Sequence, residues 1–240
     1  MPRRLVDRSL RSNKMKYLFA LITLLVLAST AYPMTMGKEQ FTCPLDGEQF
    51  EDYVNYSGTS FGMRLDLKPI GPTPAPWALP TCPKCRFPLY KKEFEADEIK
   101  RYRILTDSKE FKSIDEDAPP YFLLAEVKKY DGAPEVEIAY SYLQASWQVE
   151  ENKKEYQKCI KLALHHYDKD YSESDKSDDK FLTSGILVAE LYRQLGEFKK
   201  SVERATQLKE VKTDNETITA VLNQILMLSQ NSDSEPHQIE

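Results

Sequence analysis

The chain has 240 residues, of which 41% are hydrophobic and 30% are charged. This composition is typical of a folded globular protein, and the length allows one domain of good size or two small ones. Beyond residue 31 there are 27 basic and 37 acidic side chains, a formal charge of −10, so nucleic acid is excluded as a natural partner because its phosphates would be repelled.

Residues 1–31 have the three parts of a secretory signal. Two lysines precede an uncharged run of 15 residues, 17–31, which ends in small side chains. Ser29 and Ala31 fit the two small-residue positions before a cleavage site. A spanning helix needs about 20 apolar residues, although an uncleaved anchor stays open as an alternative. We therefore expect a signal peptide, export to the periplasm or secretion, and no stable membrane insertion after cleavage.

Residues 32–91 are predicted to form a small β module. Residues 32–42 have the character of a short linker, and three of the four cysteines and most of the prolines follow them. Candidate strands cover 49–56 and 61–68, the second because its apolar residues alternate. The proline-rich stretch at 69–76 predicts a stiff extended loop.

From residue 92 the apolar residues recur at helical spacing, which predicts an α-helical domain over 92–229. The predicted helices cover 94–105, 119–130, 134–150, 153–167, 181–195, 197–209 and 216–228. A polar loop is expected at 168–179, and the composition of 230–240 is that of a disordered polar tail. The predicted fold class is therefore α+β and mostly α, with a degenerate zinc-ribbon-like module followed by antiparallel helical hairpins.

Residues 186–208 resemble one tetratricopeptide unit. Ala189 and Ala205 are small residues at the expected helix crossing, and a turn at Gly196 is followed by the aromatic Phe198. Residues 134–167 have the pattern of a longer, degenerate second unit. A generic antiparallel helical hairpin remains the alternative. Stacked hairpins of this kind commonly present a concave surface to a peptide or protein.

Two short cysteine motifs point to a metal site. Cys82 and Cys85 form a CxxC knuckle, a turn that aims two thiolates at one tetrahedral metal ion. Cys43 begins a similar motif upstream, in which Asp46 stands where the second cysteine is expected. Aspartate also binds zinc. The pair of motifs predicts one structural zinc ion held by Cys43, Asp46, Cys82 and Cys85.

The order of these motifs resembles a known family. Two Cys-Pro knuckles, then Lys-Lys-Glu-Phe at 91–94 and Tyr-Leu-x-Ala-x-Trp at 142–147, are similar to the bacterial domain-of-unknown-function family number 2225, over about residues 41–210. The resemblance implies zinc-ribbon-like knuckles followed by tetratricopeptide-like helices. It maps the family's four knuckle cysteines onto Cys43, Asp46, Cys82 and Cys85, with Arg86 in place of a glycine. Because the family is uncharacterised, the resemblance implies an architecture and no activity.

Export leaves three states open for Cys82 and Cys85: zinc ligands, a disulfide or free thiols. A redox-active pair would need a helix N-terminus to lower a thiol pKa, and Pro88 leaves no room for an immediate helix. Cys159, on the fourth predicted helix, is expected to be a buried small hydrophobe. A pairing of Cys159 with Cys43 is a weaker hypothesis.

The remaining motif matches predict no catalytic site. Residues 58–62 match G-x-S-x-G, but a strand and a proline loop follow where that motif needs a helix, so a glycine-rich turn is expected. His165 and His166 point about 100° apart on a helix and cannot chelate one metal together. The sequence contains no phosphate-binding glycine loop, HExxH motif or dinucleotide fingerprint.

These patterns together predict a non-catalytic binding or scaffold protein, whose helical-repeat surface takes a protein or peptide partner. The alternative is a thiol–disulfide oxidoreductase that uses Cys82 and Cys85. A third hypothesis is a purely structural subunit of an envelope assembly.

Overall fold

The structure is a computed structural model that describes residues 34–175, 179–211 and 215–240. The predicted signal peptide at 1–31 lies outside the described residues. The chain from Met34 to Glu240 forms one compact unit. This unit is α+β and mostly α, which confirms the predicted fold class.

Two small antiparallel sheets lie near the beginning of the compact unit. Strand β1 (Thr35–Thr42) pairs with β2 (Gln49–Ser57), with Thr42 opposite Gln49 at the closed end of the hairpin. Strand β3 (Gly62–Met63) pairs with β4 (Pro69–Ile70). The turn between β1 and β2 carries the first cysteine motif, so the hairpin holds that motif at its end.

Helices follow the sheets in the described chain, after a non-helical stretch at 71–95. Helix α1 (Ala96–Asp107) and the single-turn helix α2 (Lys109–Lys112) come first. Six longer helices follow: α3 (Pro120–Asp131), α4 (Glu135–Gln148), α5 (Lys153–Glu173), α6 (Asp179–Gln194), α7 (Phe198–Lys209) and α8 (Glu216–Gln230). From α3 onward each helix packs against the next, and short connections make such neighbours antiparallel. No helix in the described ranges is long and apolar enough to cross a membrane.

Local sequence explains several helix ends. Pro120 lies in the first turn of α3, where a backbone N–H would have no helical partner. Gly132 ends α3 with a φ of 67°, a conformation that glycine adopts without strain. Between α6 and α7, Gly196 has a φ of 77°, and the N–H of Glu197 donates to the carbonyl of Tyr192 at 2.9 Å. This turn makes the α6–α7 hairpin that the sequence predicts.

Among the described residues three buried clusters form the core, and two of them cross the domain boundary predicted at residue 91. The first cluster lies among α3, α4, α5 and α6. The second lies among α6, α7 and α8 and includes Leu65. The third joins Cys82 and Phe87 to Tyr102 of α1 and to α3. Because the predicted β module shares its core with the helices, the two predicted domains are one body.

Two predictions for the β region are wrong. The expected linker at 32–42 contains β1, whose backbone pairs with β2 although its sequence shows no clean alternation. The candidate strand at 61–68 is a strand only at β3, with one further bridge from Arg64 to Gln238. Beyond it the chain reverses, because the N–H of Leu67 donates to the carbonyl of Arg64 at 2.9 Å and Leu67 has a φ of 66°. The candidate strand at 49–56 is confirmed as β2.

The C-terminal residues 230–240 are ordered by tertiary contacts, so the predicted disordered tail is wrong. The N–H of Leu65 donates to the carbonyl of His237 at 2.9 Å, and the N–H of Ile239 donates to the carbonyl of Met63 at 2.9 Å. The Ile239 side chain packs against the second cluster. Pairing with the β3 region therefore overrides the polar composition of this segment.

All seven predicted helices are present, with two differences. Helix α5 continues to Glu173, beyond the predicted end at residue 167 and into the expected polar loop. The single-turn helix α2 is an additional element, and the Ser108 side chain starts it by accepting the N–H of Phe111 at 3.1 Å.

Candidate metal centre

The two knuckles bring all four predicted ligands together. The Sγ atoms of Cys43, Cys82 and Cys85 and a carboxylate oxygen of Asp46 lie within 4.8 Å of one another. The Sγ atoms of Cys43 and Cys85 are 3.5 Å apart, and the Sγ of Cys82 is 3.7 Å from Oδ2 of Asp46. A tetrahedral zinc ion with about 2.3 Å zinc–sulfur bonds holds its ligand atoms about 3.5–3.8 Å apart. The donor types and these two distances are therefore compatible with one bound metal ion.

The knuckles share one backbone hydrogen-bond pattern. The N–H of the first cysteine donates to the carbonyl five residues later, at 2.8 Å for Cys43 and 3.0 Å for Cys82. The N–H four residues later donates back to the carbonyl of that cysteine, at 3.0 Å and 2.9 Å. The residue four positions after the first cysteine has a positive φ in both knuckles, 75° at Gly47 and 62° at Arg86. Asp46 in the first knuckle therefore occupies the place of Cys85 in the second.

Arg86 has a backbone conformation that favours glycine, and its side chain forms hydrogen bonds outside the knuckle. The guanidinium donates to the carbonyl of Ile114 at 2.9 Å and also to the carbonyl of Asp115. These bonds connect the second knuckle to the loop between α2 and α3.

Helix α1 contacts both knuckles. Nε of Arg103 donates to the carbonyl of Leu45 at 2.6 Å, inside the first knuckle. The ring of Phe87, which follows the second knuckle, has its centroid 5.1 Å from that of Tyr102 and 5.3 Å from that of Phe94. The third cluster therefore fixes the two knuckles relative to each other.

The four candidate ligands differ in exposure and in protonation. Cys43 and Cys82 are 1% and 0% exposed, Cys85 is half-buried, and Asp46 is exposed. Burial raises the pKa of Cys43 to about 11 and also raises the pKa of Cys85. Desolvation acts to raise the pKa of Asp46, but the N–H of Glu48 and the neighbouring thiols outweigh it and lower the pKa. Without a metal, Cys43 and Cys85 therefore favour the thiol form beside a carboxylate, and a bound cation would favour their thiolates.

An open cleft of about 820 Å³ lies beside the candidate metal centre. Asp46, Cys82, Cys85 and Arg86 form part of its lining. Other residues of the two knuckles, of α1, of α2, of the loop after α2 and of the start of α3 form the rest. The candidate site is therefore reached from solvent on one side.

Cys159 lies apart from this site. It is 1% exposed within the first cluster, whereas Cys43 belongs to the third cluster. All four cysteines are free thiols. The prediction of a buried small hydrophobe is confirmed, and the hypothesised pairing of Cys159 with Cys43 is wrong because the two lie in different parts of the core.

The other motif matches have structural roles. Ser60 lies in the loop between β2 and β3, and its Oγ donates to the carbonyl of Gly62 at 2.9 Å, which agrees with a turn. Nδ1 of His166 lies 2.5 Å from Oε2 of Glu135, and the His166 ring stacks on Tyr142. His166 therefore makes a structural contact between α4 and α5.

A buried ion pair on α6 was not predicted from the sequence. Glu190 and Arg193 are both 0% exposed, and Nε of Arg193 donates to Oε2 of Glu190 at 2.8 Å. Nη1 of Arg193 donates to the carbonyls of Asp233 at 2.7 Å and Glu235 at 2.9 Å. Two charges three residues apart on the apolar face of α6 were the available signal. The pair holds the C-terminal segment against the helices.

Comparison of this chain with protein-family models, with curated proteins and with solved structures finds no match. The fold and the site of the described residues define a mostly α-helical unit with paired cysteine knuckles that could bind a metal ion.

Proposed function

We propose that the protein is a non-catalytic binding or scaffold protein stabilised by one structural zinc ion. The ligands are Cys43, Asp46, Cys82 and Cys85. The observation that carries this proposal is the convergence of their donor atoms within 4.8 Å, from two knuckles with one backbone pattern. Zinc at this point would cross-link the β1–β2 turn to the second knuckle. The resemblance to family number 2225 supports the same architecture, and we propose that the chain belongs to it.

The helical surface is the proposed binding surface for a protein or peptide partner. Its support is the successive pairing of α3 to α8 and the tetratricopeptide-like turn at Gly196. Exposed apolar side chains at Tyr130, Val136 and Tyr140 are available for such contacts. The charge of −10 beyond residue 31 favours a protein over nucleic acid. The signal-like features of 1–31 support export to the periplasm or secretion.

The alternative of a thiol–disulfide oxidoreductase has less support. Such an enzyme needs an accessible thiol with a lowered pKa. Cys82 is 0% exposed, and burial raises the pKa of Cys85. The Sγ of Cys85 also lies 3.5 Å from the Sγ of Cys43, so its neighbouring sulfur atom belongs to the other knuckle. These features suit a metal ligand better than an attacking thiolate.

The test of this proposal is the zinc content of the purified full-length protein, measured together with its free-thiol count. Cys82→Ser removes one ligand, and Cys159→Ser is the matched control because Cys159 is equally buried outside the site. We expect about one zinc per chain in the wild type and in the control, and little zinc in Cys82→Ser. Equal zinc content in both variants, or a wild type that takes up no zinc on refolding with the metal, would contradict the proposal.

A further inference from the structure

The candidate ligands divide into an enclosed group and an open one. Cys43 and Cys82 are almost fully buried in the third cluster, and Cys85 is half-buried. Asp46 is exposed. A metal ion bound here would therefore be enclosed on the sulfur side and accessible on the side of Asp46.

Asp46 is also the weakest donor of the four. Zinc prefers thiolate sulfur to a single carboxylate oxygen at a site that already contains three cysteines. Oδ1 of Asp46 is partly engaged already, because it accepts the N–H of Glu48 at 3.0 Å. After leaving a metal ion, the carboxylate would keep this hydrogen bond and its contact with solvent. Its displacement would therefore leave no buried unpaired charge.

The cleft of about 820 Å³ provides the space for an incoming ligand, since pockets for small ligands have volumes of about 300–1,000 Å³. Its charged lining consists of four basic and three acidic side chains: Lys84, Arg86, Arg103, Lys112, Asp46, Asp107 and Glu116. Lys112 pairs with Asp107 at 2.9 Å and Lys84 lies 3.8 Å from Glu48, which leaves the guanidinium groups of Arg86 and Arg103 without a carboxylate partner among the ion pairs of the described residues. The rest of the wall therefore favours a ligand that carries negative charge.

We propose that the zinc ion accepts an exogenous thiolate from this cleft in place of Asp46. The inference rests on the zinc site proposed above. The incoming thiol gives its proton to solvent, a zinc–sulfur bond forms and the zinc–oxygen bond to Asp46 breaks, with no change of oxidation state. The ligand is an anionic low-molecular-weight thiol or the cysteine of a partner chain, which share this chemistry. The site is then a thiolate-binding site as well as a structural one.

Cobalt(II) substitution of the full-length protein tests the inference, because sulfur-to-cobalt charge-transfer absorption reports the number of thiolate ligands. The cobalt protein is titrated with N-acetylcysteine and, separately, with a short peptide that contains one cysteine. N-acetylserine and the matching serine peptide are the controls. We expect a saturable rise of about one third in the charge-transfer absorption as three sulfur ligands become four. A response to one of the two thiols alone identifies the source of the ligand.

Asp46→Cys provides the matched variant. We expect it to start with the four-sulfur absorption and to ignore added thiol, because no displaceable ligand remains. Two results would overturn the inference and leave the zinc proposal standing. In the first, the wild type binds one cobalt ion but its spectrum does not change in millimolar thiol. In the second, the thiol removes the cobalt from the protein. A wild type that binds no cobalt or zinc overturns both.

Discussion

Arg86 combines an unfavourable backbone conformation with favourable side-chain contacts. Its φ of 62° lies in the left-handed region, which destabilises a residue other than glycine by about 1–2 kcal/mol. Its guanidinium bonds to the carbonyls of Ile114 and Asp115 act in the opposite direction, since a hydrogen bond to a charged group contributes about 1.5–3 kcal/mol. The two effects can be separated by substitution.

Replacement of Arg86 by alanine removes the side-chain bonds and keeps the strained φ, whereas replacement by glycine removes both. We expect both variants to be less stable than the wild type, with Arg86→Gly more stable than Arg86→Ala by about 1 kcal/mol. Urea denaturation of the metal-loaded protein measures the difference in the free energy of unfolding.

Gly47 is the control for this comparison, because it holds the equivalent position in the first knuckle and its Cβ would meet no atom within 4 Å. Gly47→Ala should therefore lose about 1 kcal/mol from the backbone conformation alone. Equal stability of the alanine and glycine variants at position 86 would mean that the second knuckle is not strained.

At the scale of elements, the α4–α5 pair is joined by a charge contact. Glu135 lies in the first turn of α4, where a carboxylate is favoured by the helix dipole. Its carboxylate contacts Nδ1 of His166 and Nζ of Lys169 on α5, both at 2.5 Å. Desolvation acts to raise the pKa of Glu135, but the hydrogen bonds to His166 and Lys169 outweigh it and lower the pKa.

A lowered carboxyl pKa makes the contribution of Glu135 depend on pH. The contribution is complete above the unfolded-state pKa of 4.5 and is lost as the pH falls through the lower pKa of the folded state. We expect Glu135→Gln to unfold more easily than the wild type by about 1 kcal/mol at pH 7. The difference should shrink when urea denaturation is repeated at pH 3.

Glu137→Gln is the control for the pH experiment. Glu137 lies in the same first turn of α4, is more exposed, and meets only Lys128 at 3.6 Å among the ion pairs of the described residues. It should change stability little at either pH. A Glu135→Gln variant whose deficit is as large at pH 3 as at pH 7 would show that the contact between α4 and α5 does not depend on ionisation.

At the scale of the whole molecule, the C-terminal segment closes the fold. It pairs with the chain around β3 and covers the second cluster through Ile239. Its carbonyls at Asp233 and Glu235 are the partners of the fully buried Arg193. The segment therefore connects the β region, α6 and α8.

Deletion of residues 233–240 removes these partners from Arg193 and exposes the second cluster. We expect the free energy of unfolding to fall by at least about 3 kcal/mol, because a buried charge that loses partners is strongly destabilising. Asp233→Asn keeps the backbone carbonyl that Arg193 contacts and should change the stability by less than about 1 kcal/mol. Urea denaturation of both variants tests this, and an unchanged stability after the deletion would mean that the segment is dispensable.

The elements that the sequence predicts well are those determined by nearby residues. The helices from α3 to α8 follow from apolar periodicity, and the clustering of the four candidate ligands follows from the short spacing within each knuckle. Strand β1 and the C-terminal segment depend on partners far along the chain, so their own residues carry little signal. The burial of Glu190 and Arg193 has a local signal in their spacing on the apolar face of α6, but charged residues are usually predicted to face solvent.

X-ray absorption at the zinc edge of the zinc-loaded full-length protein tests the proposed metal centre most directly. A site made of Cys43, Asp46, Cys82 and Cys85 predicts three sulfur atoms at about 2.3 Å and one oxygen atom at about 2.0 Å in a four-coordinate shell. A shell of nitrogen and oxygen atoms alone, or a protein that retains no zinc, would contradict the account.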